Sequence, residues 1–161
     1  MEYSENFIKC VKVILANEGG YVYNSFDSGG ETNFGISKRA FPNEDIKRMT
    51  IERATEIYYT RYWSLMHLDD ITDINKALQL FDFAINVGVG RAVKKAQALV
   101  LEEQDGLIGP KTIQAINEDL NFVEDYKLIR IYYYNQLIKD HPKMDIFLKG
   151  WERRVRETKI N

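Results

Sequence analysis

Apolar residues recur along this chain at helical spacing, interrupted by glycine and proline. Phe7, Val11 and Ile14 fall at steps of four and three, Ser4 stands at an N-cap position, and Gly19-Gly20 supplies a stop. This predicts a helix over 4–18. Glu18 extends the same stripe, which puts an acidic side chain on the core-facing side of the helix. Residues 21–37, YVYNSFDSGGETNFGIS, carry Gly29-Gly30 between short β-prone pieces and predict an irregular hairpin or small sheet. Thr50 opens a helix running to Trp63, with Ile51, Ala54, Tyr58 and Tyr62 on one face. A strongly apolar helix over 74–87 contains Leu78, Phe81, Ala84 and Ile85, and Gly88 and Gly90 separate it from another over 91–103. The turn DGLIGPKT then delivers Pro110 to the first turn of a short helix, where its missing N–H costs nothing. Helices over 122–140 and 143–157 flank Pro142. The pattern predicts a mainly α chain of six or seven helices with one small β-hairpin region. The glycines near 88–90 suggest two lobes, 1–90 and 91–161, packed together.

Composition narrows the function classes. A chain of 161 residues, 45% hydrophobic and 29% charged, is long enough to bury a real core. Its net charge of −2 gives no overall pull toward nucleic acid or anionic membrane. KGWERRVRETK, residues 149–159, is a local exception in which Lys149, Arg153, Arg154, Arg156 and Lys159 outnumber Glu152 and Glu157. A solvated C-terminal helix face explains it, as does contact with an anionic polymer. Cys10 is the only cysteine, so no intrachain disulfide forms, and its apolar neighbours point to packing. With only His67 and His141, a zinc site is not readily built, and no metal or cofactor is expected. The start MEYSENFIKC lacks the apolar segment of a signal peptide, and no apolar run approaches the ~20 residues of a membrane helix. The expectation is synthesis in the cytoplasm without an integral membrane segment.

The chemistry concentrates at residues 18–33. A carboxyl on a sheltered helix face, followed by glycines and a hairpin, suits a general acid, because burial favours the neutral form that donates a proton. Glycoside hydrolysis pairs such an acid with a second carboxylate across a groove. Asp27 is the candidate, and Thr32 and Asn33 offer hydroxyl and amide groups to orient a water or a sugar hydroxyl. The same residues also read as structure: Glu18 as a carboxylate bonding a loop, Asp27 as a turn residue, Thr32 and Asn33 as hairpin partners. Tyr21, Tyr23, Phe34, Tyr58, Tyr59, Tyr62 and Trp63 offer flat faces for sugar rings, though most aromatics in such a chain belong to the core. Tyr21, Asn33, Tyr62 and Trp63 are the substrate-binding candidates. Asp82 and Asn86, one helical turn apart in an apolar helix, read best as a buried brace. DGLIGPKT fits a turn-and-cap role and a ligand contact equally well.

The segments EGGYVYN, DSGGETNFGIS, IYYTRYW, LFDFAINVGVGRA, DGLIGPKT and GWERRV occur in this order over residues 7–157. Together they resemble the glycoside hydrolase family 108 N-acetylmuramidases with their peptidoglycan-binding region, a group of phage-type endolysins and bacterial proteins described as secretion activators. The resemblance implies a lysozyme-like fold whose β-hairpin region lies beside an active-site cleft, with a catalytic lobe over 1–90 and a peptidoglycan-binding lobe over 91–161. It implies that Glu18 is the catalytic acid cleaving the β-1,4 bond between N-acetylmuramic acid and N-acetylglucosamine in peptidoglycan. The Glu18, Asp27, Thr32 spacing is also similar to the catalytic set of phage lysozymes. Thr32 falls one residue short of that set, and Ser28 stands where the family usually has proline. Two other readings share these residues: a lytic transglycosylase using Glu18, and a non-catalytic wall-binding or secretion-assembly protein. Action on the wall would then require release through a partner's pore, such as a holin.

Overall fold

The computed structural model describes residues 1–24 and 30–161. The chain forms two compact units, Met1–Arg61 and Tyr62–Asn161.

The first unit begins with α1 (Glu5–Asn17), capped as expected by Ser4, whose Oγ accepts from the Phe7 N–H at 3.1 Å. Phe7, Cys10, Val11 and Ile14 are buried. The helix stops at Asn17. Glu18 still donates its N–H to the Ile14 carbonyl, but its backbone turns extended (φ −89°, ψ 146°). A small antiparallel sheet comes next: β1 (Val22–Tyr23), β2 (Glu31–Asn33) and β3 (Ile36–Ser37), in that order. Val22 lies opposite Thr32, and Asn33 opposite Ile36. Because side chains alternate along a strand, Asn33 and Ile36 point inward together and are buried, while Thr32 shares the other face with Val22 and Ser37. Phe34 and Gly35 connect β2 to β3 with positive φ at both positions, 51° and 79°, the pattern of a two-residue type I′ turn.

Helix α2 (Ile51–Tyr58) starts at the predicted Thr50 cap. Its buried face differs from the expected one: Ala54, Ile57 and Tyr58 are inside, and Ile51 is exposed. A π-helical turn, Tyr59–Trp63, continues it. The wider turn rotates later side chains about the axis, so Trp63 rather than Tyr62 becomes the fully buried residue.

The second unit is helical: α3 (Ile74–Val87), α4 (Val89–Leu99), α5 (Pro110–Glu118), α6 (Phe122–Asp140) and α7 (Leu148–Glu157). Every residue of α3 from Lys76 to Ala84 is buried, the mark of a helix surrounded by others. It packs on α4 and α6, and α6 packs on α7. The second compact unit takes in α3 because that helix packs on the helices C-terminal to it. Helix α4 ends at Leu99, short of the predicted 103, and Leu101 beyond it has a positive φ of 60°. Among the described residues, no helix is long and apolar enough to cross a membrane.

Asp82 is the brace anticipated from the sequence, and a charged one. Fully buried, it accepts from Arg130 Nη2 at 2.5 Å and from Arg154 Nη2 at 2.6 Å. Arg130 also donates to Gln79 at 2.6 Å, and Gln79 donates to the Thr158 carbonyl at 3.0 Å, which ties the segment after α7 to α3. Asn86 donates to the Tyr134 hydroxyl at 3.2 Å but is exposed, so the buried brace expected of the pair rests on Asp82 alone. Arg154 is therefore an interior ion-pair partner, whereas Lys149, Arg153 and Arg156 remain exposed.

Candidate active site

Glu18 sits where α1 gives way to the sheet. Its backbone is fixed by a helix whose apolar face is buried, and its extended conformation turns the side chain off the helix stripe. That side chain is half-buried and meets the β2–β3 turn. A methyl group built on Gly35 would fall 2.6 Å from Glu18 Cγ, 2.7 Å from Glu18 Cδ and 2.5 Å from the Tyr58 hydroxyl. Glu18 and the Tyr58 hydroxyl therefore converge on the one space that a side chain at residue 35 would occupy. Gly35 is required twice over, for that space and for its φ of 79°.

The turn is itself held. Tyr58, fully buried as a residue, donates its hydroxyl to the Phe34 carbonyl at 2.6 Å. Phe34 carries a φ that costs a non-glycine residue about 1–2 kcal/mol. A hydrogen bond worth about 1 kcal/mol at that carbonyl offsets much of the cost. Three segments distant in sequence, the end of α1, the β2–β3 turn and the end of α2, thus converge beside one carboxylic acid. Sequence reading offered Phe34 as a stacking surface, gave Tyr58 both that role and a place on a helix face, and overlooked Gly35; the Asn33-Phe34-Gly35 run between β-prone pieces was the available signal.

The other candidates separate into groups. Asp27 lies outside the described residues. Thr32 is half-buried in the middle of β2, on the sheet face away from the buried Asn33. Tyr21 keeps 40% of its surface exposed and donates its hydroxyl to Glu31 at 2.9 Å, a bond that pushes its phenol up from the ordinary range. It remains available to a sugar ring. Asn33 does not serve that role: its amide is buried and donates to the Ile46 carbonyl at 3.0 Å, bracing the loop before α2. Trp63 is corrected likewise, since it is fully buried with its ring 5.3 Å from that of Phe81 and offers no open face. Tyr62 is half-buried and begins the second unit. Tyr59 packs edge-on against Phe7 at 5.0 Å.

In the second unit, DGLIGPKT forms a braced turn. Asp105 accepts from the Leu107 N–H and the Gln97 amide, both at 2.9 Å, and these bonds hold its carboxyl below the usual range. Gln97 in turn accepts from the Gly106 N–H at 3.0 Å, and Pro110 opens α5.

Comparison with known proteins finds two family matches along the chain. The family model for glycosyl hydrolase 108 matches residues 11–88, and that for a predicted peptidoglycan domain matches residues 92–156. No curated protein matches. The solved structure of Brucella abortus SagA is 32% identical, covers 93% of this chain and 89% of its own, and superposes with a TM-score of 0.82. The chain belongs to the glycosyl hydrolase 108 family. It has the mainly helical, lysozyme-like fold with a small antiparallel sheet, and it carries a glycoside hydrolase region followed by a peptidoglycan-binding one. Glu18, Gly35 and Tyr58 all fall inside the hydrolase match.

Proposed function

We propose that this glycosyl hydrolase 108 member is an N-acetylmuramidase that cleaves the β-1,4 bond between N-acetylmuramic acid and N-acetylglucosamine, with Glu18 as general acid. One observation carries the reading: a half-buried carboxylic acid at the end of α1, against the Gly35 turn that Tyr58 holds, within the hydrolase region. Positioning of this kind lets a proton pass to the bridging oxygen as the glycosidic bond lengthens toward an oxocarbenium-like state. Asp27 and Thr32 are the candidates to stabilise that charge or to hold the attacking water, and Tyr21 is the candidate sugar platform.

The test is digestion of purified peptidoglycan by the wild type and by Glu18→Gln, with products read by mass spectrometry. A reducing N-acetylmuramic end in the wild-type digest and a rate at least ~100-fold lower in the variant are expected. Products one water lighter, with an anhydro-muramic end, would assign a lytic transglycosylase instead. An undiminished rate in Glu18→Gln would remove Glu18 from the chemistry.

A further inference from the structure

Granted that this chain works on peptidoglycan, the second unit raises the question of which part of that polymer it holds. At the start of α4 lies a cleft of about 420 Å³ lined by Gly90, Arg91, Lys94, Lys95 and Gln104. Arg91, Lys94 and Lys95 stand at i, i+3 and i+4, on one helix face, where like charges repel. None of the three forms an ion pair among the described residues. The cations of α7 differ: Arg153 and Arg156 pair along their own helix with Glu157 and Glu152, and Arg154 is bound to Asp82. In a chain with a net charge of −2, three uncompensated cations around one cavity form a concentrated positive site.

The cleft is also shaped. Arg91 donates to the Tyr133 hydroxyl at 2.9 Å and lies over that ring, 5.6 Å from its centroid, so its guanidinium is held in place. The braced Asp105–Thr112 turn closes in from another side. A methyl on Gly106 would stand 3.3 Å from Lys94 Cε and 3.4 Å from the Gly90 carbonyl, so this glycine allows the turn to approach α4.

We infer that the Arg91–Lys94–Lys95 cleft is a carboxylate subsite that binds the acidic stem peptides of peptidoglycan. The glycan backbone offers mainly hydroxyl and acetamido groups, whereas the stem peptides display several free carboxylates. A guanidinium with a fixed plane and two ammonium groups suit clustered carboxylates. The cleft borders and enters the region matched to a peptidoglycan domain.

The test reads binding apart from turnover. In the Glu18→Gln background, co-sedimentation is measured with intact sacculi and with sacculi whose free carboxylates have been converted to neutral amides by carbodiimide and excess methylamine. Replacing Arg91, Lys94 and Lys95 together with Gln should weaken binding to intact sacculi about tenfold and flatten its salt dependence, while binding to the amidated sacculi stays unchanged. The double variant Lys94→Gln/Lys95→Gln, which keeps the Arg91–Tyr133 bond, should lose about threefold. A control with Lys149, Arg153 and Arg156 changed to Gln removes as many cations from α7 and should bind within about twofold of the parent. Parent-like binding by the triple and double variants overturns the inference. So does a loss that is equal on the amidated sacculi, or equal in the α7 control. Turnover by the wild type is scored separately, so failure of the muramidase reading leaves this comparison intact.

Discussion

Gly35→Ala is the sharpest perturbation the structure offers, because one methyl group strikes the supports of Glu18 without touching its chemistry. Two costs add. An alanine at φ 79° costs about 1–2 kcal/mol in backbone conformation. Its methyl, 2.5–2.7 Å from the Tyr58 hydroxyl and the Glu18 side chain, forces neighbours to shift, an overpacking cost of about 1–3 kcal/mol. The total, about 2–5 kcal/mol, leaves a typical domain folded and lowers its melting temperature by about 4–20 °C. Activity should suffer more. Displacing a catalytic group by about 1 Å costs about 100-fold in rate, and a methyl inserted at 2.7 Å requires a shift of that order.

The control is Gly88→Ala. That glycine also has a positive φ, 92°, but no atom lies within 4 Å of its virtual methyl, so the variant carries strain of about 1–3 kcal/mol without a collision. Both variants are assayed for peptidoglycan clearing and for thermal unfolding. The expected outcome is comparable destabilisation, with near-normal turnover in Gly88→Ala and a ~100-fold loss in Gly35→Ala. If Gly35→Ala clears peptidoglycan as fast as Gly88→Ala, the carboxyl beside Gly35 is not the reacting group, and the geometric case for Glu18 collapses.

Other predictions test the supports. Asp82→Asn leaves two guanidinium groups facing a neutral amide in the interior and should destabilise the second unit by about 3–5 kcal/mol in chemical denaturation. Tyr126→Phe removes the buried 2.7 Å bond from its hydroxyl to the Ala92 carbonyl, which keeps its helical bond within α4, and should cost about 1 kcal/mol in the same assay. The Asp105 turn should respond to acid with a definite sign. The Leu107 N–H and Gln97 amide hold the folded carboxyl below its unfolded value, so their contribution is complete above about pH 3.9 and is lost as pH falls through the lower folded value. Hydrogen exchange at the Leu107 amide should therefore stay protected at pH 5 and open only below the ordinary aspartate range. In Asp105→Asn that acid-driven opening should disappear.

Local signals in the sequence carried through wherever their cause was local. Ser4 and Thr50 cap helices because a hydroxyl needs only the N–H three residues ahead, and Pro110 opens α5 because its own ring sets φ. Phe7, Val11 and Ile14 are buried as their spacing predicts. What stayed hidden depends on contacts across the chain. Asp82 meets Arg130 and Arg154, 48 and 72 residues away, and nothing near Asp82 marks those partners. Asn33 looked like a substrate amide because its binding partner, the Ile46 carbonyl, belongs to a loop with no distinguishing residue. Trp63 looked like a platform because helical spacing alone carries no sign of the π turn that rotates it inward.

The same contrast bears on the choice between a structural and a chemical role for Glu18. A carboxylate kept only to bond a loop needs hydrogen-bonding capacity, and glutamine retains most of that in the same volume. A proton donor needs the acid itself, which glutamine lacks. The surroundings tilt the balance toward the second role. Burial around Glu18 is arranged to fix its position rather than to enclose it: α1 anchors the backbone, and the Gly35 turn, held by Tyr58, closes on the stem, yet the side chain stays half-exposed. The turn beside it holds Phe34 at a φ that glycine or asparagine would adopt at less cost, and a strained turn persists only where its surroundings over-determine it. A fold that needed Glu18 merely as a loop anchor would gain little from confining it so closely while leaving it open to a ligand, whereas an acid that must meet a glycosidic oxygen requires both.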